Sequence, residues 1–176
     1  AQYRMKFEEL FFVQLQLGLK KHHRKERIKG IPFPKIGNYF NRFFHEHLPF
    51  PLTEAQKRVV REIRTDLNSE AQMNRLLQGD VGSGKTIVAV LCMLMALDNN
   101  IQATLVAPTE ILAQQHYSSI KELLAPLGIE IGLLTGSVTK KEREPLFEKL
   151  TNGQLQILIG THAVLEETVS FHRLGL

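Results

Sequence analysis

Eight residues, Gly79-Asp80-Val81-Gly82-Ser83-Gly84-Lys85-Thr86, restrict what this chain can fold into more than any other stretch. They fit G-x-x-x-x-G-K-[ST], the phosphate-binding P-loop, a motif that carries weight only between a strand and a helix. The apolar pair Leu76-Leu77 within Asn74 to Gln78 predicts a short buried strand before it, and the apolar run Ile87 to Leu97 predicts a helix after it. Gly79, Gly82 and Gly84 let the backbone turn tightly, so successive N–H groups can face one anion. The helix starting near Lys85 adds its dipole and its unsatisfied N–H groups. In such a loop Lys85 reaches the β- and γ-phosphates of a nucleotide, and the Thr86 hydroxyl helps to hold Mg²⁺. The plain alternative is a glycine-rich turn ahead of a lysine, which the strand–loop–helix context disfavours.

A length of 176 residues suits one domain, or one domain with an appendage. The hydrophobic share of 43% and the charged share of 23% are those of ordinary soluble proteins. The longest apolar run, Ile87 to Leu97, is shorter than a membrane span, and no signal peptide is expected. A start at Ala1 predicts a piece of something longer. The single cysteine, Cys92, can form no disulfide within the chain, which suits a reducing cytoplasm, and it reads as a small buried side chain. The net charge of +4 has a local origin. Lys20, Lys21, Arg24, Lys25, Arg27 and Lys29 face only one nearby acid, Glu26, and this patch is either a nucleic-acid contact or a solvated helix face.

Residues 1–29 predict one long helix, favoured by its length, by Glu8-Glu9 toward the start and by Lys, Arg and His toward the end, and closed by Gly30, Pro32 and Pro34. The alternation Phe11, Val13, Leu15, Leu17, Leu19 is strand-like, but Phe12 breaks it. Such a helix must pack its large apolar groups on something, including a region outside this chain. Residues 30–51 read as a linker with a short helical piece near Tyr39 to His47, in which His45 and His47 are surface histidines. These boundaries give two parts, a helical linker region over 1–47 and an α/β domain over 48–176. Thr53 and Gln56 have capping-box spacing before a helix carrying Val59, Val60, Ile63 and Leu67. Strands are expected at 74–78, 103–107, 129–134 and 154–160, with helices at 110–124 and 139–150 and a short helix and loop over 163–176. Alternation of this kind predicts a parallel sheet with helices on both faces, right-handed crossovers, and a ligand at the carboxyl ends of the strands.

The motifs taken together resemble the bacterial RecG-type DNA helicases of the second helicase superfamily. The P-loop resembles that family's motif I, and Leu48-Pro49-Phe50 through Leu52-Thr53-x-x-Gln56 is similar to the segment before it that contacts adenine. Ala107-Pro108-Thr109-Glu110-Ile111-Leu112-Ala113-Gln114-Gln115-His116 resembles motif Ia. Leu134-Thr135-Gly136-Ser137 and Gly160-Thr161-His162-Ala163 are similar to two later turns, and Phe7 to Phe11 resembles the helix joining the wedge domain to the motor. The resemblance implies a partial RecA-like fold and an ATP-driven motor on double-stranded DNA, acting at stalled forks and recombination junctions. It implies that Gln56 binds adenine and that Gly79 to Thr86 hold ATP and Mg²⁺. It further implies that Thr109, Gly136 and Thr161 touch backbone phosphates. From the residues alone, Gln56 reads as a helix cap, Thr109 as an N-cap and Thr135-Gly136 as a turn.

One departure bears on chemistry. The family's motif II is a buried strand ending in Asp-Glu, and this sequence contains no Asp-Glu pair. The chain reaches Leu176 about where that strand should begin. A chain without the Mg²⁺-holding acid, the acid that positions water and the arginine finger is expected to bind nucleotide with little or no turnover, and either to self-associate through uncovered sheet edges or to be loosely ordered beyond about residue 160. Two other functions are weighed: a translocase that couples transcription to repair, disfavoured by Ser83 and by Ala107-Pro108-Thr109-Glu110, and a non-catalytic nucleotide or protein interaction module.

Overall fold

The computed structural model describes the backbone of residues 2–176, and the side chains of all but residues 1–3, 5, 6, 21, 22 and 24–27. Much of the basic patch expected between Lys20 and Lys29 therefore lies outside the described side chains. Three parallel strands, β1 (Ala103–Val106), β2 (Ile131–Leu134) and β3 (Ile157–Gly160), form one sheet in the order β1-β3-β2. In register, Val106 and Leu134 both lie beside Gly160, so the carboxyl ends of all three strands reach one edge together.

The strands are short and mostly apolar, and β2 and β3 are covered on both faces, whereas β1 carries Thr104 and ends at an exposed Val106. In β3 every residue is buried. Its Ile157 and Ile159 join a core built from α3 (Glu54–Leu67), α4 (Lys85–Asp98) and the Ile120 and Leu124 side chains of α5 (Glu110–Leu124). Leu158 joins a second core with Leu134, Leu150, Leu155, Ala163 and Val164, against which Leu146 and Phe147 of α6 (Lys140–Thr151) pack. The crossover β1–α5–β2 and the return β2–α6–β3 thus run in opposite directions on opposite faces, which gives them the same hand, as parallel crossovers require.

Helix α4 has Ile87, Val88 and the whole run Val90 to Leu97 buried, so it is apolar all round, as a central helix must be. Burial also pushes the Cys92 thiol up to about 12, which keeps it protonated and unreactive at neutral pH. The last residue of α4, Asp98, accepts hydrogen bonds from the backbone N–H groups of Gly37 (2.8 Å), Tyr39 (3.0 Å) and Phe40 (3.2 Å). It thereby serves the amino end of α2 (Asn38–Arg42), which continues into a π-helical turn over Phe43–His47. The segment expected to be a linker carries the expected short helix, and it is also packed: Phe33 and Phe43 are buried in the α3–α4 core. His45 is exposed as expected, whereas His47 is half-buried, with its Nε2 3.7 Å from Glu46.

Helix α1 (Gln2–Arg27) spans nearly all of the helix expected over 1–29; its first turn carries no acid, and Glu8 pairs with Arg4 at 2.8 Å. Its Phe7, Leu10, Phe11, Phe12, Val13, Leu15, Leu17 and Leu19 are exposed. A cleft of about 820 Å³ separates Leu17 and Lys20 from residues 69–76.

The expected strand over Asn74 to Gln78 is absent, and the P-loop is entered from irregular chain. A strand needs a ladder partner, and among the described residues none pairs with this segment. The outer edge of β1 is taken by residues 173–176: Gln102 N–H donates to Arg173 O at 2.8 Å and Thr104 N–H to Leu176 O at 2.8 Å, with Gln102 and Leu174 in a parallel bridge. Arg75, meanwhile, is drawn to α3 by Asp66 and by Glu62 (2.8 Å), and Leu76 stays 83% exposed.

Gln102 is the buried polar hub of this edge. Its amide donates to Leu150 O (2.9 Å) and Leu155 O (2.6 Å), and its oxygen accepts from Arg173 N–H (2.8 Å). Gln102→Leu leaves Leu155 O and Arg173 N–H without their partner, while Leu150 O keeps His172 N–H at 3.2 Å, and is expected to destabilise the chain by about 2–3 kcal/mol in urea unfolding. A loss under about 0.5 kcal/mol would show that water replaces the amide freely.

Candidate nucleotide site and nucleic-acid edge

The loop from Gly79 to Gly84 closes through Ser83 N–H to Asp80 O at 3.1 Å, and Gly82 and Gly84 both take positive φ, 81° and 78°. Gly84 is the left-handed N-cap of α4, a conformation that strains any residue with a Cβ. A Cβ on Gly79 would lie 2.6 Å from Ser83 Oγ, so a side chain there would require the Ser83 hydroxyl to rotate away. Lys85 folds back along the loop, its Nζ donating to Gly79 O (2.7 Å) and Asp80 O (2.8 Å). An ammonium group has three donors, so one remains for an anion in the cradle. Asp80, Val81 and Ser83 are exposed, with Val81 wholly so, and Thr86 is half-buried in the first turn of α4. The cradle is thus open to a ligand, with the dipole of a fourteen-residue helix behind it.

Gln56 performs two tasks. Its Oε1 accepts from Thr53 N–H (2.8 Å) while its backbone N–H donates to Thr53 Oγ1 (3.2 Å), completing the capping box at the start of α3. Its Nε2 donates to Ser83 O at 2.9 Å, tying α3 to the loop. Sequence spacing shows the cap, but the link to Ser83 spans 27 residues and has no local signature. Phe50, in the segment whose resemblance implies adenine contact, is 44% exposed, and its ring stands 3.9 Å from where a Cβ on Gly84 would be. Gln56→Glu keeps the cap, since a carboxylate oxygen also accepts, and removes the donor to Ser83. It is expected to leave the melting temperature within about 2 °C, while weakening binding of a fluorescent ATP analogue about threefold to tenfold. Equal binding would mean that the link does not shape the loop.

The strand ends form a second surface. Thr109 is exposed and caps α5, its Oγ1 accepting from Leu112 N–H at 3.3 Å. Gly136 is exposed in the turn after β2, where Thr135 Oγ1 and Ser137 Oγ lie 2.8 Å apart. Thr161 departs from the expectation of an exposed hydroxyl. It is 3% exposed, and its Oγ1 is buried with no hydrogen-bond partner among the described residues. Its backbone explains the burial: Thr161 N–H donates to Leu134 O (3.2 Å), which draws the residue under the turn that begins at His162. Among the described residues no group of three His, Cys, Asp or Glu could hold a metal, and no helix is long and apolar enough to cross a membrane.

A glycine cradle at the head of a buried helix, a glutamine one helix away and a parallel sheet beside them define a nucleotide-binding domain of the P-loop class. The model of the DEAD/DEAH box helicase family matches residues 53–176, and the chain belongs to that family. It is similar along its whole length to the ATP-dependent DNA helicases RecG of Thermotoga maritima (47% identical), Synechocystis (46%) and Bacillus subtilis (43%). It spans 21% to 26% of the length of these relatives. A solved structure of RecG bound to a three-way DNA junction superposes with a TM-score of 0.89 at 45% identity, covering 99% of this chain and 24% of that one. A hypothetical ATP-dependent RNA helicase from Sulfolobus tokodaii shares the fold over 74% of this chain and 35% of its own, with a TM-score of 0.52 and 18% identity.

Proposed function

We propose that this chain is the phosphate-binding part of an ATP-driven motor that works on double-stranded and branched DNA in the cytoplasm, at forks and recombination junctions. The observation that carries the reading is the Gly79–Thr86 cradle, with Lys85 already bent along it and one donor to spare. On this reading Gly79, Asp80, Val81, Gly82, Ser83 and Gly84 wrap the phosphates of ATP, and Lys85 neutralises their charge. Thr86, half-buried in the first turn of α4, would hold Mg²⁺. The adenine takes the side where Phe50 offers a ring face and Gln56 an amide. Bound Mg²⁺–ATP supplies the bond whose cleavage drives movement. This chain's residues bind and orient it.

The DNA backbone, in turn, runs along the carboxyl edge of the sheet, past Thr109 and the N–H of Gly136. Thr161 supports this edge from beneath by shaping the His162 turn, rather than by offering its hydroxyl. Similarity to the RecG relatives supports the choice of substrate, and the placement of Thr109 and Gly136 on one edge supports the choice of surface. The test is fluorescence anisotropy with a labelled three-way junction at several salt concentrations. Weak binding that falls steeply with salt is expected, because phosphate contacts release counterions. No binding at low salt, or binding indifferent to salt, would overturn the DNA reading.

A further inference from the structure

Two side chains outside the phosphate cradle tie together the three connections at the carboxyl edge of the sheet. Glu110, in the first turn of α5, reaches across to the turn after β2, where its Oε1 accepts from Ser137 N–H at 3.1 Å. The approach is close: a Cβ on Gly136 would lie 3.2 Å from that oxygen. Arg143, in the first half of α6, grips the same turn from the other side. Its Nε donates to Val138 O (3.1 Å) and its Nη2 to Thr135 O (3.3 Å). Its Nη1 pairs with Glu166 at 3.0 Å, in the connection that follows β3. One planar guanidinium thus holds three groups at once, which the fork geometry of arginine permits and lysine does not.

We propose that Glu110 and Arg143 are positioning residues that lock the 135–138 turn in register with Thr109, so that phosphate-facing groups from separate connections meet the backbone as one rigid surface. The inference rests on the DNA reading above. Its physical content is preorganisation. A loop that is ordered before binding does not lose conformational freedom on binding. The arrangement also disposes of a charge that would otherwise be unfavourable. A carboxylate standing free at a phosphate-binding edge repels its ligand, whereas Glu110 is turned in, half-buried and engaged with an N–H group near the positive end of α5. The bland alternative is an acid at a helix start that merely finds the nearest amide, and it predicts no effect on DNA.

The experiment compares the unaltered 176-residue chain with Glu110→Ala and Glu110→Gln. Three quantities are measured: affinity for a labelled three-way junction, affinity for a fluorescent ATP analogue, and amide hydrogen exchange at Ser137. Glu110→Ala is expected to weaken junction binding about tenfold and to speed exchange at Ser137. The salt slope should not change, because no cation that contacts phosphate is removed. ATP-analogue binding should not change either. Glu110→Gln presents an acceptor oxygen at the same place and should restore both binding and protection. Arg143→Ala is expected to weaken junction binding in the same way, again with the salt slope held. Junction binding by Glu110→Ala equal to that of the unaltered chain overturns the proposal alone, as does a failure of Glu110→Gln to restore binding. An unaltered chain that does not bind the junction overturns the DNA reading and the proposal together.

Discussion

Replacing Lys85 by Ala is expected to weaken binding of ATP to this chain about 10- to 100-fold. The ammonium is held over the loop by Gly79 O and Asp80 O, at 2.7 and 2.8 Å, so it meets a phosphate already in place. A hydrogen bond to a charged group contributes about 1.5–3 kcal/mol, and each 1.4 kcal/mol is a factor of about ten in affinity. The substitution also frees two carbonyls that Lys85 had tied together, which loosens the cradle and pushes the loss toward the upper figure. Isothermal titration with ATP and Mg²⁺ measures it, and Thr86→Ala provides the contrast. Without the hydroxyl, the benefit of adding Mg²⁺ should shrink, while affinity in the presence of a chelator stays the same. Equal affinity for Lys85→Ala and the unaltered chain would mean that nucleotide binds elsewhere. Binding is not turnover, however. The sequence has no Asp-Glu pair, so no measurable DNA-stimulated release of phosphate is expected from this chain alone. Turnover that vanishes with Lys85→Ala would refute that.

What the sequence makes legible is local. The capping box of Thr53 and Gln56, the N-cap at Thr109 and the apolar faces of α3 and α5 depend on residues three or four apart, and all are where the spacing puts them. The three strands, likewise, are apolar runs bounded by turns. What stays hidden depends on distant partners. Asn74 to Gln78 looks like a strand, but a strand exists only through its neighbour, and β1 is bordered by residues 173–176 instead. Thr161 looks like an exposed hydroxyl at a strand end, yet its N–H is drawn to Leu134 O and the side chain is carried inward. Within the site, the P-loop is legible because one short motif contains all of it. The Gln56–Ser83 and Glu110–Ser137 bonds each bridge 27 residues, and no periodicity announces them.

Phe43 is the sharpest instance, and Phe43→Ala is expected to cost about 3–5 kcal/mol in urea unfolding. Prolines and glycines at 30–51 suggest chain that spans rather than packs, and for a spanning segment truncation of one phenylalanine would cost almost nothing. Phe43 instead has no exposed surface and lies in one core with Val60, Leu91 and Met95. The segment is brought there by Asp98, whose carboxylate serves three amides at the start of α2. A domain of this size is stable by only about 5–15 kcal/mol, so Phe43→Leu, expected to lose about 1–2 kcal/mol, serves as a milder probe if the alanine variant does not fold. Asp98→Ala should lose about 2–3 kcal/mol on its own. Because the two residues anchor the same segment, the double variant should lose less than the two single losses combined: once either anchor is gone, the other holds less. Strict additivity would show that Phe43 and Asp98 act independently. A loss below about 1 kcal/mol for Phe43→Ala would show that residues 33–47 connect without contributing to the core.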